Sequence, residues 1–311
     1  MTANHRSGFV VFVGRPNVGK STLLNALAGQ KLAIVSPKPQ TTRTRITAIL
    51  TREDAQVVLV DTPGVTKSAD ALRRSMQRIT RTAVTDSDLA LVVVEARDGE
   101  AEISDADRAV VEAARKGNGR VVLAINKVDK IKNKKMLLPW MEAYAKETGV
   151  DVIVPISAKN HDGLEDLVEE LLKRLPEAPP MFPKEMVTEQ AERVICAELV
   201  REQLLLLTRQ EIPHAAAVVI EVFEDQRTDQ EGGDGGLCRL EGRIYIERES
   251  QKGIVVGKGG RTIKEVSTAA RAQIEEFLGC KVYLRLTVHV DKDWRQSDRA
   301  IERFGYGLPE A

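Results

Sequence analysis
Lys20 and Ser21 close the stretch Gly14-Arg15-Pro16-Asn17-Val18-Gly19-Lys20-Ser21, which has the spacing G-x-x-x-x-G-K-[ST]. Gly14 and Gly19 let the backbone curl so that successive N–H groups point inward at phosphate oxygens. Lys20 can place a point charge on the β- and γ-phosphates, and the Ser21 hydroxyl can take a position on Mg²⁺. The residues just before, 9–13, are an apolar run. Those after, Ser21 and Thr22 through Ala28, read as a helix stopped by Gly29. Such a helix adds the positive end of its dipole at the same anion. Strand, glycine turn and helix is the context of a phosphate-binding loop, so the chain is read as binding a nucleoside triphosphate.

Three further segments select the base. Val57-Val58-Leu59-Val60 reads as a buried strand ending in Asp61-Thr62-Pro63-Gly64, where Asp61 can hold Mg²⁺ through water and the Gly64 N–H can reach a γ-phosphate. Residues 121–125 run into Asn126-Lys127-Val128-Asp129. The Asp129 carboxylate accepts only, so it matches the N1–H and N2–H₂ donors of guanine, a pair that adenine lacks. Lys127 can lay its stem over the purine face while Asn126 braces the loop. A last apolar run, 152–156, leads to Ser157-Ala158-Lys159, which can close over the other side of the base. In this order, each at the C-terminal end of an apolar strand, these motifs resemble the translation-factor-like GTPases, and the expected nucleotides are GTP and GDP.

The elements that must position these residues follow from the pattern. Short β-branched runs alternate with helical stretches from residue 9 to about 175, the clearest helices being 104–115, 134–148 and 163–175. That alternation predicts an α/β fold, a P-loop three-layer sandwich with a mostly parallel sheet. Pro176-Glu177-Ala178-Pro179-Pro180-Met181-Phe182-Pro183 breaks regular structure and reads as a semi-rigid linker. The expected domains are therefore 1–175, a linker over 176–184, and 185–311. The 311 residues, 42% hydrophobic and 30% charged with zero net charge, describe an ordinary soluble chain. Charge alone argues neither for nor against an RNA or membrane partner. No run reaches membrane-spanning length, and the N-terminus has no apolar signal-like stretch. Cys196, Cys238 and Cys280, odd in number and far apart in sequence, read as reduced core thiols of a cytosolic protein.

Beyond the linker, 189–210 reads as a long helix with Val194, Ile195, Leu199, Leu204 and Leu205 on its core face. Strands over 217–223 and 239–246 follow, flanking an acidic, glycine-rich loop at 224–236. Then come Gly257-Lys258-Gly259-Gly260, a helix to Leu278 and a strand near 282–290. The order helix, strand, strand, short helix, loop, helix, strand is similar to a type II KH domain, an α+β fold. In that fold a G-x-x-G loop lets a nucleic-acid backbone approach closely. Lys258, Arg261 and Lys264 would supply charge to phosphates, with Gly257, Gly259 and Gly260 giving room. Residues 250–285 carry seven basic side chains (Lys252, Lys258, Arg261, Lys264, Arg271, Lys281, Arg285) against Glu265, Glu275 and Glu276, which favours single-stranded RNA.

A GTPase domain followed by a type II KH domain resembles the bacterial ribosome-assembly GTPases of the Era family over nearly the whole chain. The resemblance includes Gln40-Thr41-Thr42-Arg43 and Glu211-Ile212-Pro213-His214. It implies GTP hydrolysis in small (30S) subunit assembly, and as partners the small ribosomal subunit and the 3′ end of its 16S rRNA. A cytoplasmic protein is expected from the reduced thiols, and a monomer is expected; peripheral association with the inner membrane stays open.

Mg²⁺ should be held by Ser21, Asp61 and a switch threonine. Thr41 and Thr42 both qualify, and Thr42 is preferred. Lys20, Asn17, Thr42 and Gly64 are the expected catalytic set. Loss of the γ-phosphate would release about 33–45 together with Gly64. Val65 stands where a Ras-like enzyme has a water-orienting glutamine, so intrinsic turnover should be slow. Asn17 has two readings: in related GTPases an asparagine here helps to hold K⁺, or it only braces the loop. Arg43 and Arg45 are expected to be solvated or RNA-facing. His161, His214 and His289 lack metal-ligand spacing, and Trp294 and Tyr306 should cap a core. Two alternatives remain: an RNA-binding scaffold for which hydrolysis is incidental, and a tRNA-modification or tandem-domain GTPase, which would need a different appended domain.

Overall fold
Each β-branched run of the N-terminal half becomes a strand. In the computed structural model, which describes residues 5–38, 41–64, 70–97, 102–208, 212–227 and 236–308, these are β1 (Arg6–Val13), β2 (Ile46–Thr51), β3 (Ala55–Asp61), β4 (Leu89–Glu95), β5 (Val121–Asn126) and β6 (Ile153–Pro155). They form one sheet in the order β2-β3-β1-β4-β5-β6, parallel except where β2 runs antiparallel to β3. All seven residues of β3 are buried, as a strand covered on both faces must be. The helices are α1 (Lys20–Ala28), α2 (Ala71–Asp86), α3 (Asp105–Asn118), α4 (Leu137–Thr148) and α5 (Leu164–Leu172). One core joins Val11, Val13, Val92, Val94, Leu123 and Ile125 of the sheet to Val111 and Ala114 of α3 and Trp140 and Tyr144 of α4.

The parallel register decides where the chemistry collects. Phe12 pairs with Asp61, Val13 with Val92, Glu95 with Asn126, and Ile125 with Pro155. The segments beginning at Gly14, Asp61, Asn126 and Ser157 therefore leave the sheet at one edge, the carboxyl edge where open α/β sheets bind ligands.

The chain divides into two compact units, Met1–Ala33 with Thr42–Ser68 and Met76–Glu189, and Ile34–Thr41 with Ala69–Ser75 and Gln190–Ala311. The proline-dense segment is bonded within the first: Ser7 N–H donates to the Pro176 carbonyl, Ser7 Oγ to that of Pro179, and the Gln56 side chain accepts from the N–H groups of Met181 and Phe182.

The second unit contains α6 (Glu192–Leu207), α7 (Ile212–Ala215), β7 (Ala217–Gln226), β8 (Leu237–Ile246), α8 (Glu249–Val256), α9 (Arg261–Leu278), β9 (Lys281–Val290) and α10 (Asp298–Arg303). Its sheet has the order β7-β8-β9, with β7 antiparallel and β9 parallel to β8. This is the expected α+β order. The alternation of β8 is plain: Cys238, Leu240, Gly242, Ile244 and Ile246 are buried. Ile195, Leu199, Leu204 and Leu205 of α6 are core as expected, but Val194 is 37% exposed, because it sits in the first turn before the helix is covered. Trp294 is fully buried, donates Nε1–H to the Ala215 carbonyl at 2.8 Å and has its ring 5.9 Å from that of Tyr306, so both aromatics belong to the core.

Candidate functional site
The loop from Gly14 to Gly19 is shaped by its neighbours. A Cβ on Gly14 would stand 2.5 Å from the Val93 carbonyl oxygen. One on Gly19, at φ 102°, would stand 2.3 Å from Asn126 Nδ2. Only glycine fits either position. Asn17 also adopts a positive φ, 64°, and is exposed. Arg15 turns to Ser104 and Asp107, at 3.2 and 3.4 Å. Lys20 is buried and donates Nζ–H to the Gly14 and Arg15 carbonyls at 3.0 and 3.2 Å. Burial pulls its pKa down, and Asp61 partly restores it. A buried ammonium resting on loop carbonyls is poised to take a phosphate as its stronger partner. Gly64 closes this end: a Cβ there would come within 3.1 Å of Pro16.

Below the loop three oxygens converge. Ser21 Oγ donates to Asp61 Oδ2 at 2.6 Å and lies 2.9 Å from Thr42 Oγ1, which is 3.3 Å from the same carboxylate. Asp61 Oδ1 is buried with no hydrogen-bond partner among the described residues. Burial raises the Asp61 pKa, while Lys20, Ser21, Thr42 and the Thr62 backbone oppose the rise. Two hydroxyls and a carboxylate with an unsatisfied oxygen fit a hard divalent cation such as Mg²⁺. Thr41 is placed differently, its Oγ1 donating to the Lys38 carbonyl at 2.7 Å. The base of this switch segment is tied by Asn25, which accepts from the Leu32 and Ala33 N–H groups and donates to the Ala33 carbonyl. An asparagine on the polar side of a short helix gave the sequence reading no signal of that role.

The base-recognising loop is braced from within. Asn126 donates to the Val18 carbonyl at 2.9 Å and accepts from the Lys127 and Ala158 N–H groups at 2.8 and 3.0 Å. Lys127 Nζ donates to the Asn17 carbonyl at 2.6 Å and pairs with Glu95 at 2.9 Å, so its stem crosses from the base loop to the phosphate loop. Burial pushes the Glu95 pKa up, but Lys127 and Lys130 outweigh it and hold the carboxyl low. Sequence reasoning missed Glu95, whose only signal is an acid at the end of the strand beside β5. Ser157 Oγ donates to Asp129 Oδ1 at 2.6 Å and is the main reason that this carboxyl titrates below its ordinary value. Lys159 stands exposed, adding positive charge beside Asp129.

In the second unit the glycine loop is open. Gly257, Gly259 and Gly260 all have positive φ, and side chains on Gly259 or Gly260 would meet nothing within 4 Å. Gly257 is constrained by its own turn, since a Cβ would lie 2.3 Å from Thr262 Oγ1. Lys258, Arg261 and Lys264 are exposed around the loop, and Arg261 pairs with Glu265 at 3.0 Å. With α9 starting at Arg261, the loop offers backbone, charge and a helix N-terminus to one anionic chain.

Several residues depart from the sequence reading. Arg43 is 2% exposed, not solvated, and Arg45 pairs with Glu189 at 2.9 Å. The three cysteines are buried free thiols as expected, yet two of them meet, with Cys280 Sγ 3.3 Å from Cys238 Sγ, because parallel pairing brings the starts of β8 and β9 together. No group of three potential metal ligands from His, Cys, Asp and Glu occurs among the described residues. Gln40, Val65, Glu211 and 228–235, the middle of the acidic loop, lie outside the described residues.

A parallel sheet with a phosphate loop, an oxygen cluster below it and a carboxylate matched to guanine defines a P-loop GTPase, here joined to a type II KH fold. Consistently, a family model described as a 50S ribosome-binding GTPase matches residues 9–127, and one described as a KH domain matches 211–295. The chain is 44% identical to the GTPase Era of Syntrophus aciditrophicus over 97% of its length and 95% of that protein's. It is 43% identical to that of Stenotrophomonas maltophilia over 97% and 98%. It superposes on a variant of Aquifex aeolicus Era bound to GDP·AlF4⁻ with a TM-score of 0.89, at 38% identity, covering 97% of this chain and all of the other. The TM-score is 0.90, again at 38% identity, with an Era solved in complex with MgGDPNP and nucleotides 1506–1542 of 16S ribosomal RNA, over 98% of this chain and all of the other. The chain belongs to the Era GTPase family, and it is an enzyme that hydrolyses GTP.

Proposed function
We propose that this GTPase is a nucleotide-controlled switch that binds the 3′ end of 16S rRNA on its glycine loop and acts in assembly of the small ribosomal subunit. The observation that carries the reading is the union, in one chain, of a guanine-matched phosphate site with an open, basic KH loop. The RNA-bound relative, similar over 98% of this chain, supports it. The compartment is that of the ribosome, the cytoplasm, with the protein acting as a monomer. Among the described residues no helix is long and apolar enough to cross a membrane.

In this reading the backbone of 14–19 and Lys20 hold the β- and γ-phosphates, while Asn126, Lys127, Asp129, Ser157, Ala158 and Lys159 form the base pocket. Ser21, Thr42 and, through water, Asp61 would hold Mg²⁺, which would neutralise charge on the phosphate oxygens. Gly64 presents its N–H to the γ-phosphate. Water attacks the γ-phosphorus in line, GDP leaves, and the site's work is positioning and electrostatics. Val65 has no hydrogen-bonding group to orient that water, so turnover without RNA is slow. Lys258, Arg261 and Lys264 take RNA phosphates over Gly257, Gly259 and Gly260. Asn17 keeps two readings: it would help to hold K⁺ near the β- and γ-phosphates, or it only braces the loop; equal turnover in NaCl and KCl at matched ionic strength would leave the bracing role.

The test is GTP turnover in KCl with and without an RNA oligonucleotide ending in the 3′ sequence of 16S rRNA. Stimulation by RNA, abolished in Lys20→Ala, is expected. Tight RNA binding with GTP but no stimulation would favour a scaffold for which hydrolysis is incidental, the second reading that Val65 supports. No RNA binding would overturn the assignment of the loop.

A further inference from the structure
The amino edge of the first unit's sheet, opposite the nucleotide motifs, carries a cavity of about 370 Å³. It lies where Leu89 opens β4, Val121 opens β5 and Val152 precedes β6. That volume is in the range of small-ligand sites. Three arginines line it: Arg115 from the last turn of α3, Arg120 between α3 and β5, and Arg174 just after α5. The one acid in the lining is Asp151. Local chain geometry accounts for two of the arginines. α4 ends on Gly149, at φ 63°, and a Cβ there would stand 2.9 Å from Arg115 Nη1, which donates to the Thr148 carbonyl. Arg174 Nη1 donates to the Glu170 carbonyl at 2.8 Å and pairs with its carboxylate at 2.6 Å. Helix capping and ion pairing thus occupy one nitrogen of each. Arg120 is different. It is held through its backbone, the N–H on Asn118 Oδ1 at 3.3 Å and the carbonyl on the Ala90 N–H at 3.0 Å. Its guanidinium has no partner among the described residues.

Three guanidiniums less one carboxylate leave two positive charges around one recess. A cleft lined by one sign of charge concentrates the opposite sign from solution. The guanidinium fork matches the paired oxygens of an oxyanion, and the excess of two suits a phosphate group better than a singly charged carboxylate. No aromatic side chain lines the cavity, so nothing offers a base a stacking surface. We propose that this cavity is a second anion site, separate from the nucleotide site, for a small phosphate ligand of the pyrophosphate kind. Arg120 supplies the free fork, Arg115 and Arg174 add charge, and Asp151 opposes binding. The six residues of β5 run from the cavity to Asn126, and at ~3.3 Å per residue their ends are about 17 Å apart. Both sites can therefore be filled at once. A recess of this volume holds one or two phosphate groups, which favours a small anion over a continuing RNA backbone.

The experiment titrates inorganic pyrophosphate into the full-length protein by calorimetry, in about 150 mM KCl, with the nucleotide site already filled by a non-hydrolysable GTP analogue. One equivalent should bind. Arg120→Ala should weaken binding by about tenfold and Arg120→Lys by less, while Asp151→Asn should tighten it by about threefold. A purely structural role for these residues would not give changes of opposite sign. Lys116→Ala, an exposed change on α3 outside the cavity, should have no effect. GTP turnover should be that of wild type in all four variants, which also shows that they are folded. Absence of binding to wild type overturns the proposal, as does binding that ignores both Arg120→Ala and Asp151→Asn. Displacement of bound pyrophosphate by a single-stranded RNA oligonucleotide would overturn it too, because the recess would then belong to an RNA surface.

Discussion
Asn126 donates its side-chain amide to the Val18 carbonyl at 2.9 Å, and so ties the base loop to the phosphate loop. Its oxygen holds the Lys127 and Ala158 N–H groups at the same time, which makes one buried side chain the staple of three loops. Asn126→Ala would leave those buried groups unpaired, at about 1–3 kcal/mol each. Equilibrium titration with a fluorescent GTP analogue should show affinity lower by tenfold or more, about 1.4 kcal/mol per factor of ten. Gly19→Ala should do the same, since its methyl would enter the space of the Asn126 amide; wild-type affinity in either variant would refute the staple.

Asp129 selects the base by accepting hydrogen bonds. Asp129→Asn presents a donor to the guanine N1–H edge and should cut GTP affinity by roughly 2–3 kcal/mol while improving binding of xanthosine triphosphate, which offers an acceptor at that edge. Competition between the two nucleotides reads the change directly. A variant that still prefers GTP would place base selection elsewhere.

The same carboxylate predicts a pH profile. The Ser157 hydrogen bond, the largest influence, depresses the Asp129 pKa below 3.8, against an upward push from partial burial. A depressed carboxyl contributes fully above its unfolded value and loses that contribution only as pH falls through its lower native value. As far as Asp129 is concerned, GTP binding should therefore stay level from pH 8 down to about pH 5 and fall only in stronger acid. In Ser157→Ala the acid limb should move up towards 3.8. An unmoved limb would show that another group controls it.

On the KH loop, Lys258→Ala and Arg261→Ala should each weaken RNA binding and lower the slope of log affinity against log salt by about 0.7, the value for one phosphate contact with a single strand. Gly259→Asp should weaken it more, because it puts a negative side chain at φ 61° on the face that the backbone must approach. GTP affinity should be unchanged in all three. RNA binding that ignores these changes would move the interface off the loop.

Burial pushes the Cys196 and Cys238 thiols up to about 12. Buried thiols held in the neutral form react slowly, so alkylation of these two in the folded protein should be negligible at pH 8 and should become complete only in denaturant. Mass spectrometry after iodoacetamide treatment counts the labels. Rapid labelling of either cysteine in native buffer would contradict the buried placement.

The nucleotide chemistry was legible in the sequence because it is local. Gly14 to Ser21, Asn126 to Asp129 and Gly257 to Gly260 each carry their own backbone conformation and donor pattern within a few residues, and the alternation of apolar runs placed them at strand ends. The α/β and KH folds were legible for the same reason. What the tertiary structure alone decided involves partners far apart in the chain. Thr41 and Thr42 are chemically equivalent as a string, and only the fold sets them apart: the Thr42 hydroxyl lies beside Ser21 and Asp61, while the Thr41 hydroxyl donates to the Lys38 carbonyl. Arg43 gives no sign in sequence of being buried, nor do Cys238 and Cys280 of being in contact. Charge on a buried helix such as α6 carries no address in its pattern, and nothing in the sequence marks Glu198, Arg201 and Glu202 as buried. The reason is physical, since a hydrogen bond between residues 160 positions apart depends on the whole path of the chain between them.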